Sequence, residues 1–321
     1  MSHEHWNSCN VLQITHGIAR KSSFQVGLTM MEKLNQVFLF QSHFVSTQVV
    51  REYGNIRRAT AEMGNFLFLY HNRYDKAPPG LQGHELYLFS NESLSKMNYP
   101  MTGPSFFPGH VAYPLLQFFR DNPDFDYYWL IEYDVRFAGD WRFFFDSFKD
   151  TKQDFLTCRI RRHADEPGWW WWWLHHPRKS IPLSERLSCF NPICRLSNAS
   201  LSFLHQSLSD GWCGHNEVLF PTLLHHNGFT IMDIGGKGRF TPPSMKDKFY
   251  TTQFNSDGAP DCGTMRYRPS FWRVGQEKNK LYHPVKPLFF VIREKITGQK
   301  CQRWFPRRLA RRISETFWPR L

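Results

Sequence analysis

The sequence has a deficit of acidic residues and lacks any long apolar run. It holds 28 Asp and Glu residues against 40 Lys and Arg residues, which gives a formal net charge of +12 at pH 7. Such an excess indicates an anionic partner: a phosphorylated substrate, a nucleic acid or an anionic lipid surface. No apolar stretch approaches the roughly 18 residues of a membrane-spanning helix, so we expect a soluble or peripherally bound protein.

Cysteine is also sparse and unpatterned. The seven cysteines are scattered, and no two have the CxxC spacing of common zinc or redox sites. An odd number without a framework indicates reduced thiols, as in the cytosol. The opening sequence MSHEHWNSCN lacks a basic region followed by an apolar segment, so no signal peptide is expected. These features predict a cytoplasmic location.

Two familiar catalytic motifs are missing. The GGKG stretch at 235–238 lacks the GxGxxG context of a phosphate-binding loop, and we interpret it as a turn. No GxSxG elbow is present, which argues against a serine hydrolase of the α/β type. A nucleotidyltransferase is disfavoured as well, because QSHFVSTQ follows the first predicted strand where a glycine- and lysine-rich loop is expected.

The apolar pattern predicts one α/β domain. Near-continuous apolar strands separated by helices are typical of a parallel sheet covered on both faces. Strands are predicted at 36–44, 65–72, 85–93, 153–160 and 229–236, and helices at 46–63, 113–123, 141–151 and 214–228, the first with Ser46 or Thr47 as N-cap. The domain is expected over residues 35–290, after an N-terminal extension at 1–34 and before a basic tail at 291–321.

The most informative segment runs from 126 to 141. Glu132 and Asp134 directly follow the apolar stretch YYWLI, so strand alternation predicts that they share a face while Tyr133 points away. In open α/β sheets, ligands bind beyond the carboxyl ends of strands. Two carboxylates there suit Mg²⁺ or Mn²⁺. The alternative is that they only cap the strand and meet Arg136 or water.

WLIEYDVRFAGDW resembles the variant DxD segment of GT-A glycosyltransferases, particularly a bacterial group with EYDVR and later LYHPVKP motifs. The resemblance covers roughly residues 36–290. It implies a GT-A-like, Rossmann-like fold: a mixed, mainly parallel sheet flanked by helices, with a nucleotide-binding half before an acceptor half. It also implies that Asp134 ligates Mn²⁺ or Mg²⁺, and that Glu132 faces the metal, its water or the ribose.

Further candidate residues lie outside this segment. By the same resemblance, Glu217 in GWCGHNEVLFPTLL is a candidate catalytic base, and His283 in LYHPVKP a candidate metal or diphosphate ligand. Lys286 and Arg159 could contact phosphate oxygens. Each has a structural alternative: Glu217 complements a helix dipole, His283 is a packing residue, and Arg159 belongs to an exposed basic edge.

A run of five tryptophans, 169–173, lies between the two halves. It is interpreted as a hydrophobic flap that packs at least three of the five rings on the core, and a lid, a stacking platform for acceptor sugars and a lipid contact are the functional alternatives.

The basic tail has the pattern of a helix lying in a membrane interface. Leu309, Ile313 and Phe317 share one helical face between arginines and terminal aromatic residues. Nucleic-acid binding or a disordered solubilising tail are the alternatives, and the aromatic residues favour the membrane. Residues 300–321 are therefore expected to contact anionic lipid at the inner face of the membrane, and nucleic acid is not the expected partner.

The resemblance, together with these patterns, implies a metal-assisted, inverting glycosyltransferase that moves a sugar from a nucleotide-sugar donor to a glycan or lipid-linked acceptor, as in the synthesis of cell-surface polysaccharides. Two alternatives remain open. One is a non-catalytic glycan- or nucleotide-binding module on the same fold, and the other is a different metal-dependent nucleotide enzyme.

Overall fold

The computed structural model describes residues 34–72, 80–107, 109–251, 253–254, 260–261, 263–266, 275 and 277–286. The expected N-terminal extension up to residue 33 and the expected basic tail lie outside the described residues, so both stay predictions. Within the described part, no helix combines the length and apolar character needed to cross a membrane.

The described strands and helices alternate along most of the chain. The strands are β1 (Gln36–Ser42), β2 (Gly64–His71), β3 (Leu86–Phe89), β4 (Tyr127–Glu132), β5 (Arg136–Phe137), β6 (Phe155–Arg162), β7 (Leu174–His175), β8 (Leu187–Ser197), β9 (Cys213–Gly214), β10 (Ile231–Asp233), β11 (Gln253–Phe254), β12 (Pro260–Asp261) and β13 (Leu281–Tyr282). The helices are α1 (Thr47–Thr60), α2 (Asn91–Ser95), α3 (Tyr113–Asp121), α4 (Trp141–Asp146), α5 (Asn198–Ser209) and α6 (Asn216–His226).

A seven-stranded sheet in the order β10–β6–β8–β4–β1–β2–β3 forms the centre of the fold. β8 is antiparallel to both of its neighbours, and every other adjacent pair is parallel. The predicted mixed, mainly parallel α/β sheet is confirmed. Because all strands except β8 run the same way, their carboxyl ends gather at one edge of the sheet.

The central strands are apolar on both faces because both faces are covered. Along β1, Val37 and Leu39 belong to one core, whereas Phe38 and Phe40 belong to the other. Residues of α3, α5 and α6 complete the first core, and residues of α1 and α4 complete the second. This alternation is the period of a strand, and burial on both faces explains the unbroken apolar run.

Local capping explains where the predicted bounds hold and where they fail. The Ser46 hydroxyl accepts a hydrogen bond from the Val49 N–H at 3.3 Å, which makes Ser46 the N-cap of α1. The strand predicted over 85–93 is wrong in its last part, because Ser90 and Ser93 form a capping box that starts α2. Serine hydroxyls there bind backbone N–H groups that a strand would direct to its neighbour.

The GGKG turn is held by a buried carboxylate. Asp233, at the end of β10, accepts hydrogen bonds from the N–H groups of Gly235 (3.0 Å) and Gly236 (3.1 Å) and from the Tyr250 hydroxyl (2.7 Å). A Cβ atom on Gly236 would lie 2.2 Å from that hydroxyl oxygen, so the close approach requires glycine. The geometry accounts for these glycines as packing residues.

Candidate functional site

Three ligand-type side chains meet at the carboxyl end of β4. The Nε2 atom of His283 lies 3.3 Å from Glu132 Oε2 and 3.5 Å from Asp134 Oδ1. One potential ligand atom from each residue lies within 4.8 Å of the others. The structure therefore brings together two carboxylates and one imidazole that the sequence places about 150 residues apart.

A turn, rather than strand alternation, places the two carboxylates together. β4 ends at Glu132, and the Val135 N–H donates to the Glu132 carbonyl at 3.1 Å. The chain then enters β5, which pairs antiparallel with β13. This pairing delivers His283 to the site, and the Val285 N–H donates to the Asp134 carbonyl at 2.8 Å. The predicted proximity exists, but its structural cause is different.

Asp134 is buried and is neutralised from within the protein. Lys286 Nζ donates hydrogen bonds to Asp134 Oδ2 and, at 3.0 Å, to the Tyr133 hydroxyl. Burial alone would raise the pKa of the Asp134 carboxyl, but the positive charges of Lys286 and His283 outweigh burial and hold that pKa well below its usual range. In this structure Lys286 therefore contacts Asp134, whereas the sequence suggests a contact with phosphate oxygens.

His283 is affected in the opposite direction. Burial by itself lowers the pKa of its imidazole, yet the carboxylates of Asp134 and Glu132 outweigh burial and raise that pKa to about 9. Burial also lowers the pKa of the Lys286 ammonium group, but the negative charge of Asp134 outweighs burial and raises this pKa above its ordinary value. Two carboxylates are thus matched by two basic groups.

One oxygen of the site is not satisfied by these contacts. Asp134 Oδ1 is buried, and although it forms an ion pair with His283 Nε2 at 3.5 Å, it accepts no hydrogen bond from the residues that the structure describes. Lys286 occupies the other oxygen of the same carboxylate. An unsatisfied carboxylate oxygen beside a second carboxylate and an imidazole is a donor set that suits Mn²⁺ or Mg²⁺. The residues present therefore fit a divalent cation once the His283 imidazole has released its proton, as a metal ligand must.

Tyr133 was not expected at this site, because strand alternation predicts that it points away from the two carboxylates. Its hydroxyl nevertheless shares Lys286 with Asp134. The ring packs edge-on against His43 and Phe44, with centroid distances of 5.1 and 4.8 Å. No pattern in the sequence signals this role, since it depends on where β4 stops.

Glu217 lies in the first turn of α6. The residue before the helix, His215, is its N-cap and accepts a hydrogen bond from the Glu217 N–H at 3.2 Å through Nδ1. Burial, followed by the nearby His110, lowers the pKa of His215 to about 4, so its imidazole is neutral and Nδ1 can accept. The Glu217 side chain keeps 19% of its surface exposed. It is thus placed to complement the helix dipole, and its carboxylate remains partly accessible.

Glu217 and Glu132 each lie near a buried thiol of β8. The pKa of the Cys189 thiol is raised mainly by burial and further by the negative charge of Glu217. The pKa of the Cys194 thiol is likewise raised by burial and then by the charge of Glu132. Both thiols belong to β8, the strand that pairs with β4. Glu217 and Glu132 are therefore both close to β8, at two different positions along this strand.

Arg159 has a different environment from the one expected. It lies at an irregular position of β6 with φ of +53°, its side chain is buried, and its guanidinium pairs with Glu166. Its N–H donates to the Tyr250 hydroxyl at 2.7 Å. It is not part of an exposed basic edge, and its described ion pair is with Glu166.

The five tryptophans have very different environments. Trp172 is buried, and its indole N–H donates to the Glu166 carbonyl at 2.9 Å. Trp169 and Trp171 are half-buried, whereas Trp170 is 83% exposed and Trp173 is 51% exposed. Three of the five rings are thus buried or half-buried, as a flap requires, while Trp170 and Trp173 are exposed.

No protein-family model matches the chain, and no curated protein sequence matches it. Several solved structures have a partly similar fold at low identity. An active-site mutant of LgtC shares 10% identity with a TM-score of 0.40, covering 73% of this chain and 88% of that one. A glycosyltransferase involved in glycosylation of the major capsid of PBCV-1 shares 10% identity with a TM-score of 0.27, covering 54% of this chain and 64% of that one.

A third similar structure is assigned as a glucose-1-phosphate thymidylyltransferase from Bacillus anthracis. It shares 12% identity with a TM-score of 0.34, covering 63% of this chain and 87% of that one. This chain spans less than two thirds of the PBCV-1 enzyme. At such identities and scores the likeness concerns the fold, and the argument for function rests on the site.

Proposed function

We propose that this chain is a glycosyltransferase that moves a sugar from a nucleotide-sugar donor to a glycan or lipid-linked acceptor with the help of a divalent metal. The observation that carries this proposal is the cluster of Glu132, Asp134 and His283 at the carboxyl end of a central strand. Ligands of open α/β sheets bind at this edge. The chemistry of the cluster suits a cation that itself binds a diphosphate.

In this proposal Asp134, Glu132 and His283 hold Mn²⁺ or Mg²⁺. Such an ion would supply positive charge to the diphosphate that leaves with the nucleoside. Lys286 orients the Asp134 carboxylate by holding Oδ2, which leaves Oδ1 directed to the cluster.

Glu217 is proposed as the general base of an inverting reaction. It takes the proton of an acceptor hydroxyl, and the hydroxyl oxygen forms a bond to the anomeric carbon. The bond from that carbon to the phosphate oxygen breaks, and its electron pair leaves with the nucleoside diphosphate. The start of α6 favours an ionised carboxylate, which is the form that a base requires.

The ion pair between Lys286 and Asp134 favours one alternative function. A site whose buried carboxylate is already neutralised can bind a nucleotide or glycan without a metal and without turnover. A non-catalytic binding module is therefore the second candidate. It differs from the first in predicting ligand binding that does not respond to Mn²⁺.

Metal binding tests the proposal directly. We expect the full chain to bind Mn²⁺ in calorimetric titration, and we expect Glu132→Gln to weaken that binding by at least about tenfold. Glu132 is the suitable ligand to change, because its described ion pair is with His283 and its side chain is a quarter exposed. Asp124→Asn is the matched control, since this exposed residue precedes the opposite end of β4.

Donor screening completes the experiment. Thermal shift with UDP-, GDP-, CMP- and dTDP-sugars, with and without Mn²⁺, identifies the nucleotide, because a ligand that binds the folded state raises the melting temperature. A metal-dependent shift followed by transfer or donor hydrolysis supports the enzyme. Nucleotide or glycan binding that is indifferent to Mn²⁺, with no turnover, supports the module and overturns the metal-assisted reaction.

The location of the reaction is part of the same proposal. An acceptor at the inner face of a membrane agrees with a chain whose residues 300–321 contact anionic lipid. That segment lies outside the described residues, so its contact with a membrane rests on the sequence pattern alone.

A further inference from the structure

The tryptophan run is tied to the segment that carries Glu217. Directly after the run, β7 pairs antiparallel with β9, with Leu174 opposite Gly214. β9 is followed at once by His215, the N-cap of α6. The Trp171 ring lies with its centroid 4.8 Å from the His215 ring, and the Trp169 ring lies 6.2 Å from it. The run therefore borders the candidate base.

The backbone of the run is anchored while some of its rings are exposed. The guanidinium of Arg186 donates to the Trp172 carbonyl at 2.6 Å, and the buried Trp172 ring secures the middle of the run. Trp170 is 83% exposed, and its ring centroid lies 5.4 Å from that of the half-buried Trp171. An aromatic ring that stays in contact with water does not gain the free energy of burial. These exposed rings are therefore a candidate contact surface for a ligand.

Polar groups beside the rings are left unsatisfied. Asn216 is 1% exposed, and neither polar atom of its side chain has a hydrogen-bond partner among the described residues. Nδ1 of the buried His110 likewise has no hydrogen-bond partner among the described residues. The two residues approach each other, since the Asn216 N–H donates to the carbonyl of Gly109 at 2.9 Å. Unsatisfied buried donors and acceptors point to a hydroxyl-bearing ligand or to bridging water.

The charge of the run argues against a lipid surface as the occupant. The stretch 163–173 contains Asp165 and Glu166 and no Lys or Arg. An anionic leaflet attracts basic residues by about 1 kcal/mol each, and this stretch offers none. Of the basic residues that follow, Arg178 and Lys179 both pair with Asp210.

We propose that Trp170 and Trp171 form a stacking surface for a non-reacting sugar ring of a neutral oligosaccharide acceptor, next to Glu217. The inference rests on the proposed function and adds the class of acceptor. One face of a pyranose carries mainly C–H groups that pack on an indole, while its hydroxyl groups need polar partners. An apolar platform with polar groups at its border meets both needs.

The test measures acceptor binding apart from catalysis. Neutral oligosaccharides of glucose, galactose, mannose and N-acetylglucosamine are titrated into the full chain by calorimetry, and donor binding is measured in parallel. Trp170→Ala is expected to raise the Kd for the bound oligosaccharide roughly 2- to 12-fold, the worth of one aromatic contact, with donor affinity unchanged. Trp170→Tyr keeps a ring and is expected to restore most of the affinity.

Phe143→Ala is the matched control, because Phe143 is an exposed aromatic residue on α4, outside the tryptophan run. The inference is overturned if the parent protein binds none of these oligosaccharides, or binds them equally well after Trp170→Ala. It is also overturned if Trp170→Ala instead abolishes binding to vesicles of phosphatidylcholine and phosphatidylglycerol. Ring-dependent glycan binding in a protein that never transfers a sugar would retain the platform and refute the proposed function.

Discussion

Replacing Glu217 by Gln is expected to lower the rate of sugar transfer by about 100- to 10,000-fold while donor binding stays unchanged. This range is the usual contribution of a general base. The amide keeps the shape of the side chain and cannot take the proton of the acceptor hydroxyl. The backbone hydrogen bond from the Glu217 N–H to His215 does not involve the carboxylate, so the N-cap of α6 survives the substitution.

The measurement is kcat for transfer with saturating donor, together with the donor Kd from calorimetry. Glu185→Gln is the matched control, because Glu185 pairs with His226 at the opposite end of α6, at 3.3 Å. If Glu217 only complements the helix dipole, its substitution costs about 0.3 to 1 kcal/mol of stability and leaves the rate unchanged. That result would remove the base from the proposed mechanism.

Replacing Lys286 by Met is expected to destabilise the folded protein by about 3 to 5 kcal/mol. This is the usual penalty when one partner of a buried ion pair is removed and the other charge stays buried. Asp134 is 1% exposed, so water cannot replace the ammonium group. Met fills a similar volume, so the lost charge rather than a cavity dominates the effect.

A second variant identifies the cause. Adding Asp134→Asn to Lys286→Met removes both charges, and we expect this pair to recover most of the lost free energy of unfolding in urea titrations. The exposed Lys278, changed to Met, serves as the control and should leave stability nearly unchanged. A single Lys286→Met variant as stable as the parent would show that Lys286 does not neutralise Asp134.

This ion pair also decides how catalysis should be tested. Asp134→Asn alone leaves the charge of Lys286 beside a neutral amide, so a loss of activity could reflect lost stability. Glu132→Gln reduces this problem, because Glu132 is a quarter exposed and its partner His283 keeps Asp134 as a second partner.

The candidate site was predictable only in its local part. Glu132 and Asp134 are two residues apart at the end of an apolar strand, so their proximity needs no long-range contact. His283 and Lys286 reach them through the pairing of β5 with β13, and each of these strands has only two residues. A two-residue strand has no hydrophobic period, so no pattern predicts which partner it meets.

Other parts of the site show the same limit. The antiparallel direction of β8 leaves no trace in its composition, because its burial is as complete as that of a parallel strand. The contact between Trp171 and His215 depends on the pairing of β7 with β9, again two residues each. The run of five tryptophans suggests a stacking platform, but only the pairing of β7 with β9 places this run beside Glu217.

The sequence by itself determined the class of the fold, because apolar runs such as that of β1 must be buried on both faces and therefore require a sheet covered by helices. It also determined that two carboxylates stand where β4 ends. Tertiary structure alone decided that Lys286, 152 residues from Asp134, neutralises it. A buried charge takes whichever opposite charge the folded chain brings within reach, and that depends on long-range pairing rather than on neighbours in sequence.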